Sequence, residues 1–284
     1  MPGALVRYDL SLPCYFSYPP SPDVVTRPMI PRLDTGLYIR GEVGARADGA
    51  PRPISPHATT HLDTPYHFLP AGTDLAGVLN APAFPADRPC LARLVHLAGP
   101  GPGAFTREGV TYREAVTAGA LPPVAELRRY EALVVLTGFG RVMAAEREGQ
   151  FPPAADGANH VPHLAADAVE RILAAGLRLV ALDSTTVEPQ TGTDPLRYGS
   201  EVHQRLLGHA PPVLIVECIG GGRLAEQVGF APGEALLHVV PRRVNARGAD
   251  AAQSRVFLYF YRDDPDGAAL RELHRTMTPE ELYG

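Results

Sequence analysis

Between His57 and Phe68 the chain reads His-Ala-Thr-Thr-His-Leu-Asp-Thr-Pro-Tyr-His-Phe, which places three histidines and one aspartate within eleven residues. Any fold that buries this stretch must find a use for four side chains able to hold a metal. Side chains two apart share a face of an extended segment, so an extended conformation points His57, His61, Asp63 and His67 the same way. The opposite face would carry Ala58, Thr60, Leu62, Thr64 and Tyr66, a pattern that is not amphipathic. Neutral imidazole and carboxylate suit a borderline cation such as zinc, or a harder one such as manganese. The alternative is a polar loop whose histidines bond to the backbone.

Composition removes other classes of function. A net charge of −5 and a pI near 6.1 leave no electrostatic footprint for nucleic acid or an anionic membrane. All 26 basic residues are arginine, a coding bias that says little about chemistry. The three cysteines, Cys14, Cys90 and Cys218, are too few and too scattered for a disulfide framework. Neither a leader-like start nor an apolar run long enough to span a bilayer is present, so a soluble, cytoplasmic protein is expected.

In chain order, strands are expected over Ala4–Leu10, Gly36–Val43, Pro89–Leu97, Ala132–Leu136, Leu177–Leu182, Val213–Val216, Ala235–Val240 and Arg255–Tyr261. Helical spacing marks Gly72–Asn80, Thr111–Ala120 with Gly119 as its stop, Leu164–Ala175 ending at Gly176, and Val202–Leu207. Proline- and glycine-rich loops are expected over Cys14–Pro31, Gly44–Pro56 and Gly149–Pro162. The first carries Tyr15, Phe16 and Tyr18 and reads either as a functional lid or as a surface excursion. His96 reads as a core or rim histidine and His163 as a cap for the helix that follows it, while His160 is left open between binding substrate or metal and capping that helix. Asp183 falls at the carboxyl end of a strand, where sites on α/β folds gather. The charged tail beyond Asp263 is expected to end in a surface helix.

The stretch His57–Phe68 resembles the metal-binding signature of the cyclase superfamily of metal-dependent hydrolases. That family includes bacterial kynurenine formamidase, isatin hydrolase and several aromatic polyketide cyclases. Its pattern, His-x-Gly-Thr-His-x-Asp-x-Pro-x-His-Phe, is matched at every fixed position except the glycine, which is Thr59 here. Glycine tolerates positive φ and threonine does so poorly. Asp9-Leu10-Ser11, Thr137-Gly138-Phe139, and Gly248-Ala249-Asp250 with Arg255 are similar to further family segments. Asp183–Pro189 is similar to Asp-x-x-Ser-x-Asp-Pro but carries Thr186 and Glu188 in place of the serine and the second aspartate.

The resemblance implies an α/β single domain over residues 1–284, with its core at about 5–262 and a tail over 263–284. Its fold would be a mixed, barrel-like twisted β-sheet flanked by helices, of the swivelling β/β/α kind. It also implies one or two divalent ions, zinc or manganese, held by His57, His61 and Asp63, with Asp63 bridging to His203 and Glu217; His209 competes with His203. His67 would be the general acid/base. Tyr15, Phe16, Tyr66, Thr137 and His160 are the candidates for lining a small-molecule substrate. The implied reaction is hydrolysis of a C–N acyl bond in a formamide or cyclic amide. Ring closure in a polyketide-like chain is the rival, and a non-catalytic metal protein the outsider. A homo-oligomer, dimer or tetramer, follows from family habit.

Overall fold

The computed structural model describes residues 4–12, 42–45, 51–54, 57, 59–81, 89–107, 109–145, 160–189, 200–242, 248–264 and 266–277. Tyr15, Phe16, Tyr18 and the loop Cys14–Pro31 lie outside them, as does most of Gly149–Pro162.

One sheet organises these residues. Its strands are β1 (Leu5–Asp9), β2 (His61–Asp63), β3 (Cys90–His96), β4 (Ala132–Leu136), β5 (Leu179–Leu182), β6 (Leu214–Glu217), β7 (Glu234–Pro241) and β8 (Ala251–Tyr261). They run in the order β1-β8-β7-β3-β4-β5-β6-β2, and β2 also pairs with β8. That extra pairing closes a barrel-like ring of seven strands with β1 outside it. Strands β3 to β6 are parallel to one another, whereas β2, β7 and β8 join by antiparallel ladders.

The parallel strands are apolar throughout because both of their faces are covered. In β4, Ala132, Val134 and Leu136 pack with Leu94, Ala181, Val216 and Leu258. The intervening Leu133 and Val135 pack with Val180, Ile215 and helix residues Val169, Ile172 and Leu206. Two helices cover this second face, α1 (Ala166–Ala175) and α2 (Glu201–Leu207). α1 stops at Gly176, whose φ of 73° is open to glycine. Near the end of the chain Ala268–Thr276 is helical and buries Leu270, as expected of the tail. Among the described residues, no helix is long and apolar enough to cross a membrane.

Several expectations need correction. His57–His67 is not one extended segment: only His61–Asp63 is strand, and Pro65–His67 forms a 3-10 turn. Pro65 cannot donate to a ladder and is at home at the start of a helical turn. Thr111–Ala120 is not a helix. Val110–Tyr112 pairs with Phe105–Arg107 across a turn with Gly109 at φ 77°, Ala115–Val116 pairs with His163–Leu164, and Ala118–Ala120 is a 3-10 turn. The β-branched Val110, Thr111, Val116 and Thr117 favour that outcome. His163 therefore lies in a strand and does not cap α1, whose N-cap position is Ala165. The expected loop Gly44–Pro56 contains one strand and the end of another, Pro51–Ile54 pairing with Glu42–Ala45. Of the expected strand Gly36–Val43, only residues 42 and 43 lie within the described set.

Asp183 anchors the ends of β4 and β5. Its Oδ1 accepts hydrogen bonds from Thr137 N (2.7 Å) and Thr137 Oγ1 (2.7 Å), and its Oδ2 from Gly138 N (2.9 Å) and Gly140 N (3.3 Å). Burial pushes the carboxyl up to about 6, against the pull of those donors. Asp183→Asn would turn an amide NH2 against two of them, so it should cost about 2–4 kcal/mol of stability. A denaturation midpoint equal to the wild type would refute that role.

Thr59 sits at φ 61°, the left-handed region in which a side chain is strained. Thr59→Gly should therefore be tolerated, and should gain up to about 1 kcal/mol in the same measurement.

Candidate metal centre

Strand register brings the donors together. In β2, His61 and Asp63 lie on one face, with Leu62 on the other, buried in the core. β6 runs antiparallel to β2 with Glu217 directly opposite His61, so those two side chains share that face. On the other side of β2, β8 begins at Ala251 opposite Asp63, and this delivers Asp250 to the same end. Helix α2, packed over β6, supplies His203. His57 enters ahead of the left-handed turn at Thr59, and His67 ends the 3-10 turn after Pro65.

The donors face one another. His61 Nε2 lies 3.4 Å from Asp63 Oδ1 and 3.4 Å from Glu217 Oε2. His203 Nε2 lies 3.5 Å from Asp63 Oδ2 and 3.2 Å from Glu217 Oε1. His57 Nδ1 is 3.0 Å from Asp63 Oδ1. Asp63 is thus approached on Oδ1 by His57 and His61 and on Oδ2 by His203. His209, the competitor for the place of His203, is exposed beyond α2, with its ring against the Pro211 carbonyl at 2.9 Å.

These contacts are not hydrogen bonds. His61 Nε2, His203 Nε2 and both oxygens of Asp63 are buried and have no hydrogen-bond partner among the described residues. Buried polar atoms are normally satisfied, and a cluster of orphans turned inward calls for an ion. Spacing agrees: the edge of a tetrahedron with arms of about 2.0–2.1 Å is about 3.3–3.4 Å long, which matches the donor separations. His61, Asp63 and Glu217 form one group of mutually close ligand atoms, and His57, Asp63 and His67 form another. Imidazole with carboxylate suits a divalent cation.

Electrostatics lead to the same place. Burial resists charging His61 and His203, yet Asp63 beside the first and Glu217 beside the second raise both well above the usual histidine value. Burial likewise opposes charge on His57, but Asp250 and Asp63 outweigh it and lift the ring to about 9. Asp63 is held well below the carboxylate range despite burial, by His61 and His67. Glu217 is held at about 2 despite burial, chiefly by His203. The pocket is built for positive charge between these carboxylates. His67 goes the other way: burial, and then the charge on His57, lowers it to about 4.

A second layer holds the donors in orientation. His61 Nδ1–H donates to the Thr59 carbonyl at 2.8 Å, which leaves Nε2 bare. Asp250 Oδ2 accepts from both His57 Nε2 (3.1 Å) and His67 Nδ1 (3.0 Å). Glu188 Oε1 accepts from His203 Nδ1 at 3.0 Å, and Val187 N–H donates to Glu217 Oε1 at 2.7 Å. Thr60 Oγ1 accepts from Leu12 N (2.8 Å) and donates to the carbonyl of Cys218 (2.6 Å), which itself has a φ of 58°. Sequence reading assigned no role to Asp250 or Glu188. Both lay in family-like segments, and that was the one signal available.

The remaining candidates are placed as follows. Tyr66 is half-buried in the 3-10 turn beside His67. Thr137 is fully buried and its hydroxyl is committed to Asp183. His160 lies outside both donor groups, its Nδ1 2.7 Å from Glu114 Oε1 and its ring stacked on Phe105 at 5.6 Å. Phe105 shares an aromatic cluster with Tyr112, Phe139 and Cys218, the residue after Glu217.

Among the described residues, Asp63 is the one side chain common to both donor groups. Asp63→Ala should therefore purify without metal, by elemental analysis. Full metal content in that variant would exclude it as a ligand.

Comparison with known proteins places the chain in a family. Residues 8–189 match the model of a family described as putative cyclase. Kynurenine formamidase of Paracidovorax citrulli is 28% identical over 139 residues, which cover 48% of this chain and 51% of the relative. The match thus spans about half the length of that curated protein. Among solved structures, a potential metal-dependent hydrolase with cyclase activity superposes with a TM-score of 0.54 at 17% identity, covering 90% of this chain and 98% of its own. A predicted metal-dependent hydrolase from Bacillus stearothermophilus gives a TM-score of 0.50 at 18% identity, covering 90% and 99%. At these identities the structural likeness establishes the shared fold. With the family model covering most of its length, the chain belongs to the putative cyclase family, the cyclase superfamily of metal-dependent hydrolases.

Proposed function

We propose that this protein hydrolyses a C–N acyl bond in a formamide or cyclic amide, with His67 as general acid/base. The observation that carries the reading is the contact between His67 and Asp250. With Nδ1 committed to that carboxylate at 3.0 Å, Nε2 is the nitrogen left to handle protons. A ring nitrogen of His67 lies within 4.8 Å of ligand atoms of Asp63 and His57, so the base stands beside the donors.

His57, His61 and Asp63 would hold one cation, zinc or manganese, and Asp63 with His203 and Glu217 a second. Bound there, a divalent ion supplies Lewis acidity, which acidifies water and polarises a carbonyl. His67, kept uncharged at neutral pH by its burial, takes the proton of the attacking water at Nε2. It then delivers that proton to the leaving nitrogen, and the acyl carbon–nitrogen bond breaks. The half-length likeness to a kynurenine formamidase supports an amide substrate. Tyr66 and His160 are candidate walls for a ring-bearing small molecule.

Ring closure in a polyketide-like chain is the second reading, favoured by the family's description as a putative cyclase. Product mass separates the two. Hydrolysis adds one water, whereas closure leaves the mass unchanged or lowers it by one water.

His67→Ala should keep its metal and fall about 100- to 10,000-fold in turnover of N-formyl anilines or cyclic amides, as expected for a lost acid/base. The comparison is made at equal metal content. Wild-type turnover in that variant would overturn the assignment.

A further inference from the structure

Glu188 stands outside the ring of donors, at the end of the turn that follows β5, and is 1% exposed. A single oxygen, Oε1, accepts from the main-chain N–H of His203 at 2.7 Å and from the ring Nδ1–H of the same residue at 3.0 Å. The adjoining Val187 N–H donates to Glu217 Oε1 at 2.7 Å, and the Ser184 carbonyl accepts from Cys218 N at 2.8 Å. Asp183, at the start of the turn, is fixed by Thr137, Gly138 and Gly140. One short turn therefore grips both donors that come from the second half of the chain.

We propose that Glu188 is the positioning residue that makes His203 a ligand through Nε2, and that it thereby sets metal affinity on that side of the centre. The inference rests on the metal reading given above. An imidazole has two nitrogens, and the acceptor at one decides which of them is left bare. Here the acceptor is at Nδ1, and Nε2 faces Asp63 Oδ2 and Glu217 Oε1. The main-chain bond fixes Glu188 against the first turn of α2, and the ring cannot swing away from the donors without breaking its Nδ1 bond to the same oxygen. The other oxygen, Oε2, is buried and makes no hydrogen bond among the described residues. The carboxylate is thus directed at His203 alone, and a carboxylate on the far nitrogen raises the basicity of the nitrogen facing the ion.

A simpler role would be to anchor the helix, since the His203 amide is one of the first-turn donors that lack an intrahelical acceptor. Zinc titration of the purified full-length chain against a chelating competitor separates the two roles, read beside thermal melts of the metal-free protein. Glu188→Ala should bind zinc about 10- to 100-fold more weakly, the usual cost of losing such a partner, with Glu188→Gln in between. The near-isosteric glutamine carries the test if the alanine variant fails to fold. Val202→Ala loosens the packing of the same helix without touching the His203 ring. It should lower the melting temperature and leave zinc affinity at the wild-type value. Wild-type affinity in both Glu188 variants would overturn the proposal. So would an equal loss in Val202→Ala, because helix docking would then be the cause. If the wild type binds neither zinc nor manganese, the metal reading falls, and this inference falls with it.

Discussion

Everything at this site depends on Asp63 being buried with imidazoles on both of its oxygens and hydrogen bonds on neither. An isolated carboxylate in such a place would be costly, because burial removes water without returning a donor. The neighbours do not repair this as ordinary partners would. The ring nitrogens of His61 and His203 turn toward the carboxylate oxygens at separations that a shared ion would suit. A positive charge between them satisfies the orphaned atoms at once, so the site makes physical sense as a cation holder and little sense otherwise.

The barrel-like closure exists around that point. β2 is only three residues long, too short to contribute much ladder energy of its own. It nevertheless bridges the parallel half of the sheet, through β6, to the antiparallel half, through β8. Each neighbour brings one carboxylate, Glu217 from the end of β6 and Asp250 from just before β8. The chain passes through left-handed conformations at Thr59 and Cys218, beside the two donor strands, and the Thr60 hydroxyl reaches across to the Cys218 carbonyl. Backbone strain at functional sites persists where the surroundings over-determine it, as these cross-strand bonds do.

Much of this was legible in the sequence. Uniformly apolar runs such as Ala132–Leu136 identify strands buried on both faces, and the histidine-rich stretch supplies side chains that the fold brings together. Over Thr111–Ala120 helical periodicity competes with β-branched content, and the strand outcome wins because Gly109 permits the hairpin turn. The convergence of the motif was expected for a wrong local reason. An unbroken strand would align four side chains by alternation, whereas here a turn at Thr59 and a 3-10 turn at Pro65 bring His57 and His67 back toward a single short strand. Asp250 and Glu188 were out of reach because their roles depend on which strand lies beside which. Asp250 is 183 residues from the histidine it orients, and no spacing rule links them.

The donor set alone does not choose between breaking a C–N bond and closing a ring. Both reactions need a polarised carbonyl and a base that can move one proton, and the role proposed for His67 would serve either. What differs is the nucleophile that reaches the carbonyl, water in one reaction and a carbon of the same molecule in the other. That selection is made by the walls: an open wall admits water, and a closed one folds a flexible substrate onto itself. Next to Glu217, the described residues Phe105, Tyr112 and Phe139 pack with Cys218 in a buried apolar cluster, which fixes the backbone at the end of β6.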